Sequence, residues 1–276
     1  MTGLPNFEPR YALYFTPPPG NPLTLAGDRW LRRGVSDLCL PLGMRDAKSH
    51  QLLIEEPRRY GFHATLKAPF RLKPGTSRPE LISAIEKFAR SQRPCPVGPL
   101  RIARSGNTFA LKPRCPTPFA RSFASRVVSA FDRIRAPLDS WELTRRMQAP
   151  LDDVETTHLV TWGYPYVFER YDFHMTLTGA VDVRESDEVQ RCLEAAFGSA
   201  LDDDFAIDSI TLCEQENPDS DFVAVKRFPF NAPPIEVSNN STEADNALPS
   251  MRLPVEEIFR LQEMEKTENN EKRFLR

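Results

Sequence analysis

Phe62-His63-Ala64-Thr65-Leu66 and Phe173-His174-Met175-Thr176-Leu177 are the same phrase, written twice about 110 residues apart. In each, apolar and polar residues alternate, the pattern of a half-buried β-strand whose side chains point to opposite faces in turn. Phe62, Ala64 and Leu66 are expected to face a core, as are Phe173, Met175 and Leu177. His63 and Thr65 then share the other face of one strand, and His174 and Thr176 that of the other. Where two such strands meet, two imidazoles and two hydroxyls converge. Imidazoles change charge near neutral pH, so a pair of them supplies a general acid and a general base at one phosphorus centre.

Outward from the two phrases, the chain repeats an order of strand, helix, histidine strand, helix, strand. The first unit, about 10–104, places these elements at about 10–15, 23–33, 61–72, 78–92 and 97–104. The second, about 108–213, places them at about 108–112, 118–135, 172–183, 186–198 and 205–213. A repeat of whole units implies two similar lobes related by a pseudo-two-fold axis. The fold class expected is α+β: a bilobal, duplicated domain over 1–230, with two antiparallel sheets facing across a central cleft and helices outside. Residues 34–57 show no clean period, because Pro41 and Gly43 interrupt the leucines. Gly198 reads as the stop of the helix before it. The segment 231–276 is rich in Pro, Asn, Ser and acidic residues and reads as a largely disordered tail, with helical spacing only over 254–266.

The 276 residues are 40% hydrophobic, enough to build a sizeable core. No apolar run is long enough to cross a bilayer. The opening Met1-Thr2-Gly3-Leu4-Pro5-Asn6 lacks the basic and apolar regions of a secretory signal. A cytoplasmic chain is therefore expected. The formal net charge of −2 argues against a large nucleic-acid footprint, although Arg58, Arg59, Lys67, Arg71 and Lys73 crowd the first phrase. Cys39, Cys95, Cys115, Cys192 and Cys213 are scattered, without C-x-x-C spacing, and read as free thiols. There is no Walker-type loop and no G-x-G-x-x-G, so no nucleotide or redox cofactor is implied. No metal is implied either, since neither histidine has ligand-spaced partners.

Beside the four central residues, Lys67 has the strand parity of His63 and Thr65, which would aim it at a phosphate oxygen. Thr178 holds the matching position after His174 and Thr176. Tyr60, Tyr164 and Tyr166 are candidate walls of the pocket. Arg145 and Arg146 are candidate phosphate clamps, with an exposed charged helix face as the plainer reading. His50 in a polar loop and His158 in the connector have no matching partners and read as structural.

Tyr60-Gly61-Phe62-His63-Ala64-Thr65-Leu66-Lys67-Ala68-Pro69-Phe70 resembles the first motif of the two-histidine (2H) phosphoesterase superfamily. Trp162-Gly163-Tyr164-Pro165-Tyr166 with Phe173-His174-Met175-Thr176-Leu177-Thr178-Gly179 resembles the second, in the branch encoded with phosphonate-utilisation genes. The likeness covers about residues 10–230. It implies a metal-independent phosphodiesterase acting on cyclic phosphates, with His63 and His174 catalytic and Thr65 and Thr176 binding phosphate. By analogy with the branch's genomic company, it implies a substrate such as 5-phosphoribosyl 1,2-cyclic phosphate. A small phosphorylated cyclic ester is thus the expected partner, with nucleic acid not favoured, no membrane, and a tail that offers a docking element for protein. Two rival readings stand beside it. One is an RNA 2′,3′-cyclic phosphodiesterase or 2′-5′ RNA ligase-like enzyme, which needs a basic channel with stacking aromatics. The other is a non-catalytic phosphate-binding module. The sequence does not assign which imidazole is base and which is acid.

Overall fold

In the computed structural model, residues 8–33, 41, 43–44, 46–201 and 203–231 are described. The tail and the helix expected at 254–266 lie outside them. The chain runs β1 (Arg10–Phe15), α1 (Pro22–Trp30), α2 (Ala47–Tyr60), β2 (Ala64–Phe70), α3 (Arg78–Arg90), β3 (Cys95–Pro96) and β4 (Leu100–Ser105). It continues β5 (Thr108–Pro113), α4 (Pro118–Asp132), α5 (Ser140–Arg146), α6 (Asp153–Trp162), β6 (Met175–Thr176), α7 (Ser186–Phe197), β7 (Ala206–Ile207), β8 (Ser209–Gln215) and β9 (Val223–Pro229).

Seven strands form one antiparallel sheet in the order β4-β5-β6-β2-β1-β8-β9, and β3 pairs with β7. About the β6–β2 junction the order is symmetric: β5 answers β1, and β4 answers β8. The two sheets expected from sequence are thus the two wings of a single sheet. The histidine strands are hydrogen-bonded neighbours, joined by the one pair Ala64↔Met175. Each wing also carries a strand from the other half of the chain, since β4 pairs with β5 and β8 with β1. The helices follow the same symmetry, with α3 against β8 and β9, and α7 against β4.

The apolar face of the phrases is buried as the alternation requires. Phe62, Ala64, Leu66, Phe173, Met175 and Leu177 all enter the main core. Trp30 of α1, Leu81 and Ile85 of α3, Phe123 and Phe131 of α4, and Leu193 and Phe197 of α7 pack there too. Local signals start these helices. Ser77 and Glu80 close a capping box on α3, with a proline in its first turn. Asp152 and Glu155 do the same for α6. Gly198 does not take a left-handed stop: its φ is −50°, and the chain continues into a 3₁₀ turn.

α2 falls in the stretch where no period was legible. Its buried positions are His50, Leu53, Ile54 and Pro57, a regular helical stripe in which two of four members are not aliphatic. His50 therefore lies on a helix, fully buried edge-on against Trp30, rather than in a loop. Burial, with Arg32 nearby, pushes its imidazole down to about 4. Pro57 has no N–H to give the carbonyl of Leu53, and that carbonyl instead accepts the N–H of Gly179 at 2.6 Å. A helix interruption thus ties α2 to the second phrase.

The second histidine strand is much shorter than the expected 172–183. Its ladder ends because other partners take the groups that would extend it. The Trp30 indole N–H donates to the carbonyl of Leu177 at 2.8 Å. The hydroxyl of Thr178 accepts the N–H of Phe109 at 2.9 Å. Thr178 is fully buried by this arrangement, on the wall of the cavity that also holds Thr176, and its hydroxyl supports the sheet through Phe109. Thr178→Val keeps the shape but leaves the Phe109 N–H without an acceptor. It is expected to lower stability by about 1–3 kcal/mol in urea unfolding, with no rise in KM beyond that of a folding defect.

Candidate active site

The first histidine is aimed by its own chain. α2 ends at Gly61, whose φ of +79° is a conformation glycine tolerates without strain. That turn presents the Gly61 carbonyl to His63, whose Nδ1 lies 2.8 Å away. A carbonyl only accepts, so Nδ1 carries the hydrogen, and Nε2 of the neutral ring is left as an acceptor. Nε2 lies 3.2 Å from Oγ1 of Thr65. The second phrase repeats the device: Nδ1 of His174 donates to the carbonyl of Asp172 at 2.8 Å. Both rings are thus held by the carbonyl two residues back, with Nε2 free for chemistry.

The Ala64↔Met175 pairing, carried one residue either way, sets His63 opposite Thr176 and Thr65 opposite His174. The four side chains line one cavity of about 450 Å³, together with Tyr60, Tyr164, Arg10, Arg145 and Arg146. A neighbouring cavity of about 290 Å³ shares His174, Thr65, Thr176 and Tyr164, and adds Tyr166 and Asp172. Tyr60, Tyr164 and Tyr166 are therefore walls, as expected, although Tyr166 belongs to the second cavity. Burial, then Tyr166, pushes the Tyr164 phenol up to about 12.

Lys67 is not in this group. β2 runs out of step with β1: Tyr14 pairs with Thr65, but the next residue, Leu13, pairs with Lys67. One residue of β2 is therefore extra, a β-bulge, and strand parity reverses beyond it. Leu13 is in the core, and Lys67, opposite it, is buried too. Its ammonium meets Asp132 at 3.4 Å and the carbonyl of Val128 at 3.4 Å. Burial pushes it down to about 8, against the pull of Asp132. The expectation that Lys67 contacts phosphate is corrected, and Ala68 and Pro69 take the cleft face instead.

The two histidines differ in what covers them. His63 stacks on Tyr14, with ring centroids 3.7 Å apart and planes at 25°. Tyr14 belongs to a small apolar cluster with Ala12, Cys213 and Phe222. Desolvation, opposed by the Gly61 bond and helped by His174 and Arg33, pushes His63 down to about 4. His174 is exposed. The sheet explains the difference: Tyr14 pairs with Thr65, whereas the corresponding partner of Thr176 is Ala110. Sequence reading missed Tyr14 because nothing local links it to His63; only the strand pairing does. His158, read as structural, is buried, with Nδ1 3.2 Å from the carbonyl of Pro165.

The two His-x-Thr phrases thus stand side by side on one face of a single antiparallel sheet. The chain belongs to the family described as "Protein of unknown function (DUF1045)", which it matches over residues 65–223. A Janthinobacterium sp. (strain Marseille) protein named "Ribose 1,5-bisphosphate phosphokinase PhnN" is 37% identical over 232 residues, 80% of this chain and 51% of that protein. A protein of the same name from Laribacter hongkongensis (strain HLHK9) is 33% identical over 177 residues, 63% of this chain and 40% of its own. The chain thus spans about half the length of these curated relatives, or less. Among solved structures, E. coli LigT complexed with 3′-AMP is 11% identical over 81% of this chain and 99% of that one, with a TM-score of 0.41. TT0787 of Thermus thermophilus is 12% identical over 81% and 98%, with a TM-score of 0.39. Among the described residues no helix is long and apolar enough to cross a membrane.

Following the His63 C2 proton by NMR should give a titration near pH 4, well below the ordinary imidazole range. In Tyr14→Ala, checked for folding by circular dichroism, the midpoint is expected to rise toward about 6.5. An unmoved midpoint would remove Tyr14 as the cause.

Proposed function

We propose that this chain is a metal-independent phosphodiesterase that hydrolyses a small cyclic phosphate ester by two-histidine general acid–base catalysis. One observation carries the reading: both rings donate Nδ1–H to the carbonyl two residues back and so hold Nε2 available in the same cavity. His63, kept neutral by burial, is the base. Its Nε2 takes a proton from water as the water oxygen bonds to phosphorus. His174, which is exposed, gives a proton from Nε2 to the ring oxygen as the phosphorus–oxygen bond breaks. Thr65 and Thr176 donate to the non-bridging oxygens as charge builds there. Proton exchange with solvent then restores both rings.

The relatives' name supports a particular substrate. Opening 5-phosphoribosyl 1,2-cyclic phosphate at its 2-oxygen gives ribose 1,5-bisphosphate, the compound in that name. This sequence contains no G-x-x-x-x-G-K-[ST] loop, so we assign the kinase of that name to the part of those proteins that this chain does not match. The two parts would then act in succession, hydrolysis supplying what phosphorylation consumes.

The test is a screen of cyclic phosphodiesters, including 5-phosphoribosyl 1,2-cyclic phosphate and nucleoside 2′,3′-cyclic phosphates, in chelator with phosphorus NMR detection. The ribosyl ester is expected to be the preferred substrate. His63→Ala and His174→Ala should each lower kcat/KM by about 10²–10⁴-fold. The base must be neutral, so the rate should hold down to weakly acidic pH and fall only as pH drops through about 4, where His63 gains its proton. Full activity in His63→Ala would end this reading.

A further inference from the structure

The cleft holds positive charge that the histidine chemistry does not use. Arg10 on β1, and Arg145 and Arg146 at the end of α5, line the same cavity as His63 and His174. Glu56 is the only carboxylate among the described residues lining it. Three of the basic groups around the first phrase are paired with carboxylates. Arg58 meets Asp221 at 3.3 Å, and Lys67 meets Asp132. Arg71 holds Glu142 at 2.8 Å and Asp139 at 3.2 Å, so the acids nearest α5 are already engaged.

The three cleft arginines are left differently. Arg10 donates from Nε to the side-chain amide of Gln215 at 2.8 Å, a neutral partner that orients it without cancelling its charge. Arg145 lies over the ring of Trp141, 4.9 Å from its centroid. Nε of Arg146 is buried with no hydrogen-bond partner among the described residues. A buried guanidinium N–H without an acceptor is costly. Burial pushes Arg10 and Arg146 below the usual arginine range, with repulsion from Arg145 adding to it and the nearby Glu142 opposing it. Three like charges held together at such a cost are stabilised by an anion with several acceptor oxygens, and guanidinium forks match a phosphate in shape.

We infer that Arg10, Arg145 and Arg146 form a second anion subsite in the cleft, which takes a terminal phosphomonoester of the substrate while the histidines act on its cyclic diester. The inference rests on the proposed hydrolysis for its second half only; the binding of a phosphomonoester stands apart from it. It also gives the site a means of choosing its substrate. A cyclic phosphate with no second phosphate would meet the same histidines but leave the arginines unpaired.

The experiment compares kcat/KM for ribose 1,2-cyclic phosphate with and without a 5-phosphate, in the wild type, Arg146→Gln and the double substitution Arg145→Gln/Arg146→Gln. The ratio favouring the phosphorylated ester is expected to fall about 10–100-fold in the variants. In His63→Ala both esters should slow together, leaving the ratio in place. A second arm titrates ribose 5-phosphate, which carries no diester, into the full chain by calorimetry. The wild type should bind it and the double variant at least about 10-fold more weakly. An unchanged ratio overturns the subsite. If no cyclic ester is turned over at all, the proposed hydrolysis fails, and the calorimetric arm alone decides: binding absent, or equal in the variant, overturns the subsite as well.

Discussion

The pairing of Ala64 with Met175 is the constraint on which the site depends. It is a single bridge, far less than the six-residue ladder between β4 and β5. Yet it fixes the register between the two phrases, and a slip of one residue would turn a histidine and a threonine into the core. The register is held from outside the pair. Trp30 pins the Leu177 carbonyl, Leu53 takes the Gly179 N–H, and Thr178 takes that of Phe109. These bonds end the strand early, which leaves His174 free of a continuous ladder, and they anchor its phrase to α1, α2 and β5 together.

Much of this architecture was legible because it follows from short-range rules. Alternation named the buried residues of both phrases, and the repeated order of strand, helix, histidine strand, helix and strand located β1, β2, α3, β4, β5, α4 and α7. What escaped were features decided by residues distant in sequence. The stripe of α2 was hidden because its core positions include His50 and Pro57, whose burial depends on Trp30 and on Gly179. The parity of Lys67 was reversed by a bulge that exists only as a mismatch with β1. Arg145 and Arg146 read as a solvated helix face, because nothing in α5 announces the cavity they line.

Duplication makes two equivalent histidines, and chemistry at phosphorus needs two that differ. The symmetric sheet shows where the difference enters. The position facing Thr65 is Tyr14, and the one facing Thr176 is Ala110. An aromatic ring shields one imidazole from water and disfavours its cation; a methyl group does not. The Gly61 and Asp172 carbonyls give both rings the same tautomer, so the difference lies in their surroundings, the stacked Tyr14 above all. A change of one side chain on a neighbouring strand thus puts two copies of one motif in different surroundings.

Net charge is a poor guide to such a site. A chain with a formal charge of −2 would not be expected to concentrate cations. The balance is local: Asp132, Asp139, Glu142 and Asp221 are engaged by Lys67, Arg71 and Arg58, all beside the first phrase. Pairing these engages three of the five basic residues of the patch read from sequence, whereas the arginines that line the cavity come from β1 and α5. Coulomb interactions there act through partly desolvated space, where screening by salt and water is weakest. The field inside the cavity is therefore set by the few groups that line it, rather than by the sum over the chain.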